Sequence, residues 1–181
     1  MSPLHDSGGD PVGATIRPMR ASDLDQVIQL LARWDIAPLP PSADISNPER
    51  TAVIVGNTVV AEDAGRIVGV RSFIQHSSTE AEGASLAVDP AFHKHGIGKA
   101  LMMTGYRQML ERGIRKVRAE TDRPEVVAWL CRNFGHRVIG TIPKRHIFGN
   151  KDVDHWTMLE LELDERLFIE PSGAEDAHGR K

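Results

Sequence analysis

The feature that most constrains this chain is residues 86–101, LAVDPAFHKHGIGKAL. A β-favouring run closes on Asp89-Pro90, and Pro90 cannot donate to an interior ladder, so a strand must stop there. Gly96 and Gly98 then open a long helical window, 96–112, which Gly113 ends. Glycines at such a turn let a ligand approach the backbone closely. The first turn of the helix adds unbonded N–H groups backed by the helix dipole, which suits an anion such as pyrophosphate. Charge agrees with this reading. Residues 93–118 carry seven Lys/Arg against one acid, Glu111, a local +6 in a chain of net charge −3. The third glycine of a dinucleotide fingerprint is missing, and no Gly-Lys-Ser/Thr makes a P-loop.

The rest of the chain can be placed around that segment. Residues 14–19 read as a strand, followed by Ser22 as a helix N-cap and an apolar stripe at Leu24, Val27, Ile28 and Leu31. The proline-rich stretch 37–48 reads as a loop or a loosely helical excursion. Strands are expected over 53–63 (broken at Gly56-Asn57), 66–76, 80–88, 116–121, 137–142 and 156–163, with a helix over 125–134. The order β-α-β-β-β-α-β-α-β-β predicts a mixed α/β domain with a mostly antiparallel sheet and flanking helices. With 181 residues, a single domain over 15–165 is expected. It lies between a disordered leader (1–14) and a flexible tail (166–181), the leader and residues 170–181 having little to bury.

Composition removes several classes. The chain is 40% hydrophobic, too apolar for disorder, yet no apolar run approaches the ~20 residues of a membrane span. Near-neutral charge argues against a nucleic-acid partner. One cysteine excludes an internal disulfide, and the N-terminus lacks a signal-peptide pattern, so a cytoplasmic protein is expected. Eight histidines invite a metal reading, but none has a Cys or carboxylate at ligand spacing, so no metal is expected.

The strand ending Val88-Asp89-Pro90, followed by Gly96-Ile97-Gly98, resembles the core motif of the GNAT superfamily of acyl-CoA-dependent N-acetyltransferases. The resemblance extends over about residues 15–163, in element order as well as motif. Residues 126–136, VVAWLCRNFGH, resemble the family's next motif, a helix ending Tyr-x-x-x-Gly-Phe. The resemblance implies acetyl-CoA as co-substrate. Leu86, Ala87 and Val88 would bind the pantetheine arm and acyl group, and His93, Lys94, His95, Gly96, Ile97, Gly98 and Lys99 the phosphates. His93 stands where the family has Gln or Arg, Pro124 where it commonly has Asn, and Cys131 where a Tyr often protonates the leaving thiolate.

Amine acylation also needs a group that removes a proton. Strand alternation puts Glu80 and Glu82 on the Leu86/Val88 face, and Glu120 and Asp122 at the end of the following strand. Glu82 is the first candidate base and Glu120 the second; Cys131 is either the acid or a core residue. The acceptor implied is a primary amine, either a small molecule (including an aromatic amine) or a protein lysine. Two other functions fit the same residues: a non-catalytic acyl-CoA-binding or regulatory module, and a nucleotide-binding protein using the glycine turn. Lys144-Arg145-His146 reads as a solvated loop edge, and an exposed last strand would permit a homodimer.

Overall fold

The computed structural model describes residues 13–36, 38–39, 51–144 and 149–169. Its main elements are β1 (Thr15–Pro18), α1 (Leu24–Ala32), β2 (Thr58–Asp63), β3 (Arg66–Gln75) and β4 (Glu80–Val88). They continue with α2 (Ile97–Glu111), β5 (Lys116–Thr121), α3 (Pro124–Phe134), β6 (Arg137–Pro143) and β7 (His155–Glu162). The stretch expected to be a loop, 37–48, lies outside the described residues except for Pro38–Leu39, which pairs in parallel with Thr51–Ala52.

One seven-stranded sheet runs in the order β1-β2-β3-β4-β5-β7-β6. Every neighbouring pair is antiparallel except β4 and β5. This is the mixed, mostly antiparallel architecture expected from the sequence. The edge differs. The last strand, β7, is held on both sides, and β6 forms the border, so an exposed last strand is not what the fold presents.

Helix α1 covers one face of the sheet. Its Val27, Leu30 and Leu31 are buried against Val60, Val70 and Ala87, each contributing roughly 1.5–3 kcal/mol by leaving water. The start of α1 is organised by Asp23 rather than by Ser22, which is exposed. The Asp23 carboxylate accepts the backbone N–H of Arg20 at 2.7 Å and takes both ends of the Arg17 guanidinium at 2.7 and 2.9 Å. Helices α2 and α3 cover the other face, with Met102, Tyr106, Met109, Leu130 and Phe134 packed on Phe73, Val117 and Leu159. Leu167 and Phe168 pack against that same cluster, so the packed chain runs past residue 165.

Two irregularities shape the centre. The parallel pairing of β4 with β5 runs only from Glu80/Lys116 to Gly83/Ala119. Beyond it the strands part, while β4 stays paired with β3 as far as Val88. The second is a β-bulge. Phe73 lies opposite Gly83 and Arg71 opposite Leu86, so β4 holds one extra residue at 84–85. The bulge reverses which side faces which helix. Ala81 packs into the α2/α3 cluster and Ala87 into the α1 cluster, although plain alternation would put both on one face. Glu80 and Glu82 therefore lie on the face opposite Leu86 and Val88, which corrects the expectation from spacing.

Asp89 closes this region from below. Its carboxylate is buried and holds Arg33 at 2.9 Å, Arg66, and the backbone N–H of Ala91 at 3.0 Å. Burial opposes its ionisation, yet the Ala91 N–H and the two guanidinium groups outweigh that and hold its pKa below the ordinary value. A carboxylate with a depressed pKa stabilises the fold above its unfolded pKa, and that stability disappears as pH falls through the folded value. Asp89→Asn is therefore expected to lose about 1–3 kcal/mol at neutral pH and to flatten the acid side of the stability curve below about pH 4. Urea unfolding between pH 3 and 7 checks this.

Candidate active site

Where β4 and β5 part, two clefts meet. The outer cleft, about 610 Å³, runs along Leu86, Ala87 and Val88 to the start of α2, with Trp34 on one wall and Trp129 on the other. The inner cavity, about 150 Å³, lies in the parting itself, between Glu120 and Trp156 on one side and Tyr106 and Leu130 on the other. Ile36, Leu86, Arg123 and Val126 line both, so the clefts adjoin.

The outer cleft is built by the backbone. Among the described residues, no strand takes up the β5-facing edge of residues 84–88. The Val88 carbonyl is an exception to that openness. It accepts Trp34 Nε1 at 3.1 Å and lies 3.0 Å from His93 Nε2, and the Trp34 and His93 rings stack with centroids 5.4 Å apart. The His93 side chain thus braces the strand end instead of replacing a phosphate-binding cation. Lys94 and Gly96 both have positive φ, +65° and +80°. These turn the chain so that α2 begins at the cleft; glycine adopts such an angle freely and a β-branched residue does not.

Of the residues expected to hold the cofactor, Leu86, Ala87, Val88, His93, Lys94, Gly96, Ile97, Gly98 and Lys99 line the outer cleft, and His95 is exposed outside it. The basic character is narrower than the local +6 suggests. Arg112 bonds Asn57 and Gly56, Arg115 bonds the Leu110 carbonyl, and Lys116 and Arg118 face Glu160. The cations on the cleft are Lys94, Lys99, Arg123 and Arg132. Sequence reasoning missed the last two, along with Trp129. Trp129 and Arg132 are three apart on α3, a same-face spacing that could have singled them out.

The candidate catalytic residues separate. Glu82 bonds His76 at 3.0 Å and lines neither cleft. Glu120 lines the inner cavity, and neither an ion pair nor a hydrogen bond engages its carboxylate among the described residues. Partial burial first, and the Glu82 charge second, raise the pKa of Glu120 above the ordinary value. Asp122 is occupied. It pairs with Lys144 at 2.6 Å and accepts the Asn150 N–H at 2.6 Å. Lys144, expected on a solvated loop edge, is consequently buried, with Trp156 5.4 Å from its ammonium. Cys131 packs against the α2/α3 cluster and lines neither cleft. Among the described residues, no helix is long and apolar enough to cross a membrane.

Solved structures of similar fold accord with this arrangement. Ard1 from Thermoplasma volcanium is 22% identical, with a TM-score of 0.65 over 85% of this chain and 100% of that one. The ribosomal-protein-S18-alanine N-acetyltransferase from Escherichia coli is 18% identical, with a TM-score of 0.65 over 83% and 94%. The yncA protein from Salmonella typhimurium, solved with its cofactor acetyl-CoA, is 18% identical, with a TM-score of 0.63 over 84% and 95%. At these identities the likeness is one of fold. Membership rests on the sequence itself, because residues 24–135, from α1 to the end of α3, match the model of the acetyltransferase (GNAT) family, and the chain with its parted strands and glycine turn belongs to that family.

Proposed function

We propose that the chain transfers an acetyl group from acetyl-CoA to a primary amine by direct attack. The observation that carries this is that the two clefts adjoin at the parting of β4 and β5. The outer cleft offers a donor an open strand edge and a helix N-terminus flanked by Lys94 and Lys99. The inner cavity offers an uncommitted carboxylate where the arm would end. The residues present fit acetyl-CoA in this sense: backbone donors and cations at the turn, aromatic walls along the arm.

In this reading the α2 N-terminus and the turn 93–99 hold the phosphates, while residues 86–88 hold the arm and orient the thioester. Glu120 takes a proton from the amine, directly or through water. This reverses the order of the two carboxylates expected from the sequence, because Glu82 is tied to His76 and acts on Glu120 by its charge. The amine nitrogen forms a C–N bond to the carbonyl carbon, the C–S bond breaks, and CoA leaves as the thiol. Cys131, half-buried against the core cluster, has no part in the transfer in this reading.

Thermal shift tests the donor site. A ligand that binds only the folded state at ~100 times its Kd adds about 2.7 kcal/mol. Acetyl-CoA is expected to raise Tm, and Gly96→Val, strained at φ +80°, to remove that rise while the protein still folds. An unaltered shift in the variant would exclude the turn as the phosphate site.

CoA release across arylamines, polyamines, amino acids and lysine peptides finds the acceptor and tests the base. Glu120→Gln is expected to lower kcat/KM by ~10²–10⁴-fold with acetyl-CoA affinity kept. The base form exists above the raised Glu120 pKa, so wild-type activity falls as pH drops through that value. Glu82→Gln removes a like charge and is expected to move this acid limb to lower pH. Cys131→Ser is expected to keep most of kcat and lose stability. A non-catalytic binding module would bind acetyl-CoA and release no CoA with any acceptor.

A further inference from the structure

The inner cavity contains a charge that the reaction above leaves unused. Arg71 lies on β3 directly opposite Leu86 and is only 2% exposed. Its guanidinium meets no carboxylate in any ion pair among the described residues. Instead Nε donates to Met102 Sδ at 3.1 Å, Nη2 lies 3.9 Å from Met109 Sδ, and the group sits 4.9 Å from the Tyr106 ring centre. Its Nη1 has no partner.

The fold is shaped to hold this cation. A Cβ on Gly105, in the middle of α2, would stand 2.1 Å from Arg71 Nη1, so the guanidinium in this position occupies the space of a side chain there. Two further polar atoms lining the same cavity are buried without partners, Ser85 Oγ and His136 Nδ1. The Tyr106 hydroxyl, on the ring beneath the guanidinium, lies 2.6 Å from His136 Nε2. Burial first, and the Arg71 charge second, push His136 down to about 4, so the ring is neutral. In the tautomer in which Nε2 accepts the Tyr106 O–H, Nδ1 carries the hydrogen and can donate.

A buried cation without a counter-ion, beside two unpartnered polar atoms able to donate, is costly unless an anion completes the set. Arg71 and Leu86 stand side by side on the α2 face, immediately beyond the strand that would hold the thioester. The open acid, Glu120, lines the cavity from the other face. We propose that the inner cavity binds a carboxylate carried on the far end of the acyl group, so that the chain also transfers short dicarboxylic acyl groups, of malonyl or succinyl type, from their CoA esters. This rests on the acyl-CoA reading above. The transfer balances as for acetyl. The amine nitrogen forms the amide bond to the thioester carbon, the C–S bond breaks, the amine proton ends on CoA sulfur, and the distal carboxylate stays ionised against Arg71.

The test compares CoA, acetyl-CoA and succinyl-CoA on the full-length chain, by equilibrium binding and by CoA release with the same acceptor panel. Wild type is expected to bind and use succinyl-CoA. Arg71→Met is expected to lose roughly 10–100-fold on succinyl-CoA, to keep acetyl-CoA within a few-fold, and to hold or raise its Tm because an unpaired buried charge is gone. Equal losses on both donors with a lowered Tm would make Arg71 a structural residue and overturn the proposal. A variant altered only in KM for carboxylate-bearing acceptors would place the carboxylate on the acceptor and overturn it as well. Binding of CoA and acetyl-CoA with no binding of succinyl-CoA would reject this inference alone. Failure of all three esters to bind would reject the acyl-CoA reading with it.

Discussion

The parting of two parallel strands is the constraint on which the rest of this structure depends. A sheet loses hydrogen bonds wherever neighbours separate, and buried backbone groups must find other partners. Here β4 and β5 stay paired for four residues and then diverge at Gly83 and Ala119. The open end of β4 is held from its other side by β3, from below by Asp89 with its two arginines, and at Val88 by Trp34 and His93. Fixed on three sides, the strand can leave its fourth side free for a ligand.

The same parting lets one cavity reach both faces of the sheet, and those faces differ in charge. On the α2 side stands Arg71, enclosed by methionine sulfurs and tyrosine. On the other stand Glu120 and Glu82, close enough that one raises the pKa of the other. Neither acid pairs with the arginine, although Glu120 lines the same cavity. A collapsed salt bridge would cancel both groups. The sheet keeps them apart, so each side of the gap retains an unpaired group of opposite chemistry.

The bulge in β4 connects these observations. One extra residue at 84–85 turns Leu86 toward α2 and leaves Glu82 on the opposite face. Without it, Glu82 would share the face of Leu86 as alternation predicts. With it, the carboxylate at the cavity is the one from β5. The difference between the two candidate bases is thus a matter of register, one residue in length.

Much of this protein was legible in its order of residues. The hydrophobic periods of 2 and 3.6 located β4, β5 and α2, and Asp89-Pro90 with Gly96 and Gly98 marked the turn, because these signals act over a few residues of local backbone. Several features belong to tertiary structure alone. The bulge arises from the pairing of β4 with β3, and β6 is the border because β7 inserts beside β5. Arg123 and Arg132 reach the cleft, while Arg115 and Arg118 turn elsewhere, through the packing of α3. Most of all, Arg71 reads in sequence as one polar residue in a strand. Its burial without a counter-ion exists only once Gly105, Tyr106 and His136, 34 to 65 positions away along the chain, close around it. Local sequence sets what each segment prefers to be; which charges become neighbours, and which are left without one, is decided when distant segments exclude water together.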